Sequence, residues 1–326
     1  MAQAAAYTDL VFEIVTPELR LFEERLESEL RSSVAFIEAI GADLARAGGK
    51  RLRPGVAFLT GRLLGAQPET AMQVALAVEL FHSASLLHDD LIDDADTRRG
   101  SEAAFRRYGN VVSVMSGDFM LARVLGLLAQ SGSAAFTALM ARTAADVCEG
   151  EVLQFQVATL QEYSWENYRR IIEGKTAVLL AAASKGVGVL AGATVDELAA
   201  LQTFGMAYGR AFQLRDDYLD LLGDPAVLGK PVGGDLREGK ATHTVLSLIL
   251  DHDSEETRTI LTRHAAQGGD VERVADLALA LGAADATRRE IEAQAAEAVA
   301  ALDAFAPSAE RSALIGLAEH EVARLR

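Results

Sequence analysis

Two aspartate clusters carry the residue types and spacing from which chemistry can be built. The first is Asp89-Asp90-Leu91-Ile92-Asp93-Asp94, followed closely by Arg98 and Arg99. The second is Asp216-Asp217-Tyr218-Leu219-Asp220. On a helix, Asp89 and Asp93 lie one turn apart on one face, as do Asp90 and Asp94, and Asp216 and Asp220. Like charges at this spacing repel by a few tenths of a kcal/mol per pair. Such clusters, closing mostly apolar helices, therefore call for a cation. Carboxylate oxygens suit hard divalent ions, and Mg2+ is usually held by one or two carboxylates with waters and substrate phosphates. Arg98 and Arg99 suit phosphate oxygens. One acidic cluster is most simply an acidic helix end. Two, each closing a long apolar helix, are much harder to obtain by chance.

Further motifs frame the clusters. Gly49-Lys50-Arg51-Leu52-Arg53-Pro54 precedes the first, Gly174-Lys175-Thr176 lies between the two, and Lys230 and Lys240 follow the second. As a set in this order, roughly residues 49 to 242 resemble the all-trans polyprenyl diphosphate synthases, which make geranylgeranyl, octaprenyl and related diphosphates. The resemblance implies a prenyltransferase that joins an allylic diphosphate to isopentenyl diphosphate using two or three Mg2+ ions. The allylic carbon–oxygen bond breaks, the double bond of isopentenyl diphosphate attacks the cation, and the departing diphosphate takes the proton. By the same resemblance Asp89, Asp93 and Asp216 hold the ions, with Asp217 and Asp220 supporting them directly or through water. Lys175 and Arg98 complete the catalytic set by stabilising charge on the leaving group. Arg98, Lys175, Thr176, Gln213, Lys230 and Lys240 match the allylic side of the family's site. Lys50, Arg53, His82 and Arg99 match its isopentenyl side. One departure is visible: the family often shows Thr-Leu-Pro after the last lysine, and here Thr242-His243-Thr244 stands there.

Each of these residues also has a plainer reading. Arg98 and Arg99 could neutralise a helix C-terminus. Lys175, read as near a helix start, opposes the dipole there, which favours a ligand role. His82 alone would be a satisfied core histidine; seven residues before Asp89, it falls about 20° from the aspartate face. His88 has no matching role and is read as structural. Gln213 shares a helix side with Asp216, and Gln154 is as readily core as site.

Product length is set, on this reading, beside the helix that ends at Asp89. A turn rises about 5.4 Å, comparable with one isoprene unit. The positions four and five residues before Asp89 are Ser85 and Ala84, both small, so the chain can grow past farnesyl length. Phe81, about 12 Å back, is either a floor at geranylgeranyl length or ordinary core. The surroundings of Leu86–Arg99 and Gly117-Asp118-Phe119 resemble the longer-chain synthases, which favours an octaprenyl-like product. Two other functions compete. A terpene cyclase of the same architecture usually lacks a second Asp-Asp-x-x-Asp. A non-catalytic subunit of a heteromeric synthase tends to lose aspartates or basic residues that are all present here.

Helices must position these groups. Leu19, Phe22, Leu26 and Leu30 recur at helical spacing behind Thr16-Pro17-Glu18, which reads as an N-cap and first turn. Further helices are expected over 34–47, 54–64, from Pro68 through the first aspartates, 111–130, 134–160, 165–190 and 195–222. Residues 223–241, with glycines at 223, 229, 233, 234 and 239, form a long loop of the kind that is often functional. Helices resume near Thr242, and the last 70 or so residues carry no recognisable chemistry. A similar lysine-to-aspartate separation in the two halves hints at an old duplication. The expectation is one all-α domain over residues 1–326, a bundle of ten or more helices around a central cavity, with residues 1–8 loose.

Composition agrees. Half of the 326 residues are apolar and only 6 are proline. The net charge of −16 argues against a nucleic-acid partner. A single cysteine, Cys148, forbids an internal disulfide, fits a reducing cytoplasm, and is read as buried and inert. The N-terminus lacks the pattern of a secretory signal. The most apolar stretch, 176–194, is broken by Lys185 and glycines and reads as buried helix, not a membrane span. Long apolar helices with few polar positions, such as 111–130, imply a homodimer.

Overall fold

The computed structural model describes residues 12–47, 49, 51–92, 94, 97–98, 101–228 and 231–325. Lys50, Asp93, Arg99 and Lys230, and the segment 1–8, lie outside them, and of Arg98 only the backbone is described. The helices are α1 (Thr16–Glu29), α2 (Ala35–Ala47), α3 (Leu52–Leu63), α4 (Pro68–Ile92), α5 (Ala104–Tyr108), α6 (Asn110–Ser131), α7 (Ala134–Leu160), α8 (Trp165–Ile172), α9 (Val178–Ala191), α10 (Val195–Leu222), α11 (Pro225–Leu228), α12 (Gly234–Arg237), α13 (His243–Leu246), α14 (Glu255–Thr262), α15 (Asp270–Ala280), α16 (Ala283–Ala301) and α17 (Ala309–Ala323). The fold is all-α. Among the described residues the extended structure is a two-residue ribbon, Thr97–Arg98 against Ser101–Glu102.

Local chemistry explains where helices start. Ser133, Ser164, Ser254 and Ser308 each accept the backbone N–H three residues on, and Thr194 and Glu197 form a reciprocal capping box. Each cap is worth about 1 kcal/mol. Two starts differ from the sequence reading. Thr16 does not cap α1, because a 3-10 turn over Glu13–Val15 runs straight into it and the Thr16 hydroxyl donates back to the Phe12 carbonyl. The helix at Pro54 begins earlier, at Leu52. Arg51 ahead of it is left-handed (φ 45°), its buried guanidinium held by Glu23 at 2.6 Å and Glu79 at 2.7 Å.

Packing then orders the helices. α10 lies against α9 and α16, α4 against α3 and α6, and α17 returns to pack on α3 and α10. Phe58 of α3, Leu76 and Leu80 of α4, Leu180 of α9 and Phe204 of α10 sit in one core. Burying each such side chain contributes about 1.5–3 kcal/mol. Smaller cores form below the loop after α10, around Leu221, Leu236 and Leu248, and between α8, α10 and α16, around Tyr168, Leu214 and Ile291.

The expected helix 165–190 is interrupted. Residues Glu173–Ala177 form a π-turn between α8 and α9. Lys175 is therefore not near a helix start but in a mid-helix bulge, where the dipole argument does not apply; such bulges are frequent at functional sites. Glycine lets two helices press on this turn. A Cβ at Gly209 of α10 would lie 2.4 Å from Ala177 Cα, and one at Gly150 of α7 would lie 3.0 Å from Gly174 Cα.

Three helical stretches, 68–92, 110–131 and 165–191, are long and apolar enough to cross a membrane. The first and last are covered mostly by protein, whereas only 39% of the apolar window of α6 is buried. Cys148 is exposed, not buried as its apolar character suggests, because it lies on a face of α7 that the described residues leave uncovered.

Candidate active site

The last two turns of α10 present the second aspartate cluster in three different settings. Asp216 is half exposed, and its Oδ1 accepts from the guanidinium of Arg215. Asp217 is buried. Its Oδ2 accepts the Tyr168 hydroxyl at 2.9 Å and its Oδ1 accepts Gln213 Nε2 at 2.8 Å. Asp220 is also buried and accepts the Asp235 backbone N–H at 2.9 Å, at the start of α12. Asp216 and Asp220 stay one turn apart on α10, with Asp217 and Asp220 buried and Asp216 at the rim.

The π-turn supplies the opposite side. Thr176 donates to Gln213 Oε1 at 2.6 Å, and Lys175 Nζ lies 3.1 Å from Glu151 of α7. Lys240 pairs with Glu238 at the end of the loop. A cleft of about 80 Å3 brings Lys175, Gln213, Asp217 and Lys240 together with Gln154, Tyr168 and Asp235. Gln154 faces the site.

The first cluster ends α4, where Asp90 is buried and Asp89 half buried. Asp94 pairs with Arg106 at 2.7 Å. His82 is half buried on the same helix. His88 bridges α4 to α6: its Nε2 is 3.2 Å from the Val114 carbonyl, and its ring rests on Gly117. Phe81 and Ala84 are buried in the main core, and the half-buried Ser85 donates to the His82 carbonyl at 3.0 Å. Arg53 of α3 is near enough to Tyr208 of α10 to be felt there, as are Arg215, Asp216 and Arg324.

Charge is uneven across the site. Burial and the neighbouring Asp235 carboxylate push Asp217 up to about 8. Burial and Asp217 push Tyr168 well above the usual tyrosine range, so it remains a neutral donor. Burial holds His243, just past Lys240, down to about 4 and therefore neutral. A bound cation would favour the charged form of Asp217 that burial and Asp235 disfavour. Among the described residues no three carboxylate, imidazole or thiol groups form a ready-made metal cage. Hard oxygen donors without a full cage fit Mg2+, which draws its remaining ligands from water and phosphate.

Several of these residues left no local signal in the sequence. Glu321 and Arg324 come from the C-terminal region read as free of chemistry. Glu321, buried, holds Arg215, and Arg324 is depressed by its own burial and by Arg215. Tyr168 and Asp235 belong to no motif either. Only the fold brings them to Asp217.

A model of the family described as polyprenyl synthetase matches residues 34–278. The chain belongs to this family. As a polyprenyl synthetase it is a prenyltransferase. It is 38% identical over 301 residues to the octaprenyl diphosphate synthase of Escherichia coli, covering 91% of this chain and 93% of that protein. A polyprenyl synthase of Caulobacter crescentus CB15, solved with calcium and isoprenyl diphosphate, superposes with a TM-score of 0.90 at 37% identity over 98% of each chain. A decaprenyl diphosphate synthase from Rhodobacter capsulatus superposes with a TM-score of 0.91 at 34% identity, covering 98% of this chain and 99% of that one. These polyprenyl synthetases share the all-α fold described above.

Proposed function

We propose that this prenyltransferase condenses an allylic diphosphate with isopentenyl diphosphate, in the presence of Mg2+, to a product longer than farnesyl and octaprenyl-like. The observation that carries the reading is the cleft at the end of α10, which Lys175 and Lys240 line together with Asp217 and Gln213. Likeness over nearly the whole chain to octaprenyl and decaprenyl synthases supports the long product. Mg2+, when bound, would offset the negative charge that develops on the leaving diphosphate.

The chain's own residues do the rest. Asp89, Asp93 and Asp216 would hold the ions, two or three in number, with Asp217 and Asp220 behind them. Lys175, Lys230, Lys240 and Arg98 would take the oxygens of the allylic diphosphate, and Thr176 and Gln213 would fix its orientation. Lys50, Arg53, His82 and Arg99 would hold isopentenyl diphosphate so that its double bond faces the allylic carbon. Packed helices around the site keep water from the cation.

The exposed apolar faces of α6 and α7 support a homodimer, and the acidic, cysteine-poor chain fits a cytoplasmic enzyme without a nucleic-acid partner. Incubation with labelled isopentenyl diphosphate and a short allylic primer, followed by chromatography of the dephosphorylated products, tests the reading. Products beyond farnesyl are expected. Product at farnesyl length refutes the open channel at Ala84 and Ser85, a geranylgeranyl limit makes Phe81 the floor, and no condensation refutes the function.

A further inference from the structure

Tyr168 is buried at the cleft, yet it belongs to none of the motifs that define the site. Its helix is short and firmly anchored: Ser164 caps α8 by accepting the Asn167 N–H at 3.1 Å, and Tyr168 and Ile172 form its buried face. The Tyr168 hydroxyl donates to Asp217 Oδ2 at 2.9 Å, and its ring contacts His243. His243 is the first residue of α13, three residues beyond Lys240.

The surroundings leave this hydroxyl little freedom. The His243 imidazole lies 4.7 Å from the Trp165 ring at a tilt of 49°, meets the Tyr168 ring edge-on at 5.8 Å, and is tied through Nδ1 to the Thr287 hydroxyl at 2.9 Å. His243 stands at the position where this sequence departs from the family's usual leucine. The other oxygen of Asp217 is fixed through Gln213 to Thr176 of the π-turn. One tyrosine thus joins three elements: α8, which carries it, the aspartates of α10 through its hydroxyl, and the segment after Lys240 through its ring.

We propose that Tyr168 is a positioning residue, whose hydroxyl sets the orientation of the Asp217 carboxylate while its ring packs on His243 of the segment that carries Lys240. It acts through Asp217, not by touching the reacting atoms. The inference deepens the proposed function and rests on it, since Asp217 is taken there as support for the metal and diphosphate. Partners that orient ligand groups typically account for 10- to 100-fold in metal affinity or activity.

The test is Tyr168→Phe, which keeps the ring and removes the hydroxyl. Trp165 is the chain's single tryptophan and packs on His243, so its fluorescence reports binding directly. Titration with inorganic pyrophosphate at fixed Mg2+, and with Mg2+ at fixed pyrophosphate, is expected to show at least ~10-fold weaker binding in Tyr168→Phe. Asp217→Asn is expected to weaken binding comparably, and adding Tyr168→Phe to it to change little, because the hydroxyl then has no carboxylate to orient. Tyr168→Phe binding within about twofold of wild type overturns the proposal, as do losses from the two substitutions that simply add. A variant that binds weakly only because it has unfolded is recognised by circular dichroism, and Tyr168→His, which restores a polar ring atom, is then expected to recover part of the affinity. Tight pyrophosphate binding by a wild-type protein that forms no prenyl product overturns the function and leaves the positioning role standing.

Discussion

At the scale of single residues, His243 makes the pH response legible. It takes a proton near 6.5 in the unfolded chain and near 4 in the fold, because burial disfavours its charged form and Glu290 and Asp251 offset this only partly. Between those values the unfolded chain binds more protons. The contribution of His243 is therefore complete above about pH 6.5 and is lost as the pH falls towards 4, a change of about 3 kcal/mol. Asp217 has the opposite sign in metal-free protein: its folded value is raised from 3.8 to about 8, so its effect favours the fold at low pH and fades as pH rises through that range. Comparing urea midpoints of wild type and His243→Leu from pH 4 to 7 isolates the histidine, and the variant is expected to lose less stability on acidification. Residues near the growing chain give a second prediction. Ala84→Tyr and Ser85→Phe are expected to shorten the product by one or more isoprene units, whereas Ala84→Tyr also strains a fully buried position. Chromatography of products from folded variants decides it; unchanged length in both places the channel elsewhere.

At the scale of elements, the π-turn between α8 and α9 is the feature on which the site depends. Its backbone touches α7 at Gly150 and α10 at Gly209, and both contacts exist only because the residues are glycine. A Cβ at Gly174 would lie 2.6 Å from the Asp146 carbonyl. Gly174→Ala is therefore expected to cost about 1–3 kcal/mol, seen in the urea midpoint, and to weaken pyrophosphate binding by shifting Lys175 and Thr176. Unchanged binding would mean that the turn does not position them. The bounds of 134–160 and 195–222 were legible because periodicity and glycine act locally, whereas the loop expected after Leu222 carries the one-turn helices α11 and α12. The π-turn was not legible, because one extra residue in a helix leaves no mark on composition. The left-handed backbone of Arg51 leaves no local signal for a related reason: its side chain is held by Glu23 and Glu79, each 28 residues away.

At the scale of the whole molecule, an uncovered surface remains. Val111, Met115 and Leu125 on α6 and Val152, Phe155 and Leu160 on α7 are exposed. Cys148 shares a face with Val152 and Phe155. A second copy of the chain covering this face would bury it. Leu125→Glu with Phe155→Glu is expected to yield a monomer by light scattering at micromolar concentration and to speed labelling of Cys148 by a thiol reagent. A wild-type monomer would leave the face unexplained by self-association.

What the amino-acid order determined alone was the chemistry and the class of fold. Aspartates one turn apart, lysines in fixed order and helical periodicity are properties of short stretches, and they suffice to identify a diphosphate-handling, all-helical enzyme. Tertiary structure decided which groups meet. It separated Asp216 at the rim from Asp217 in the interior, brought Glu321 to Arg215 from 106 residues away, and set Tyr168 against Asp217 from 49 residues away. Such contacts follow from how α8, α10 and α17 pack, and packing is fixed by the shapes of many side chains at once, not by any motif among them.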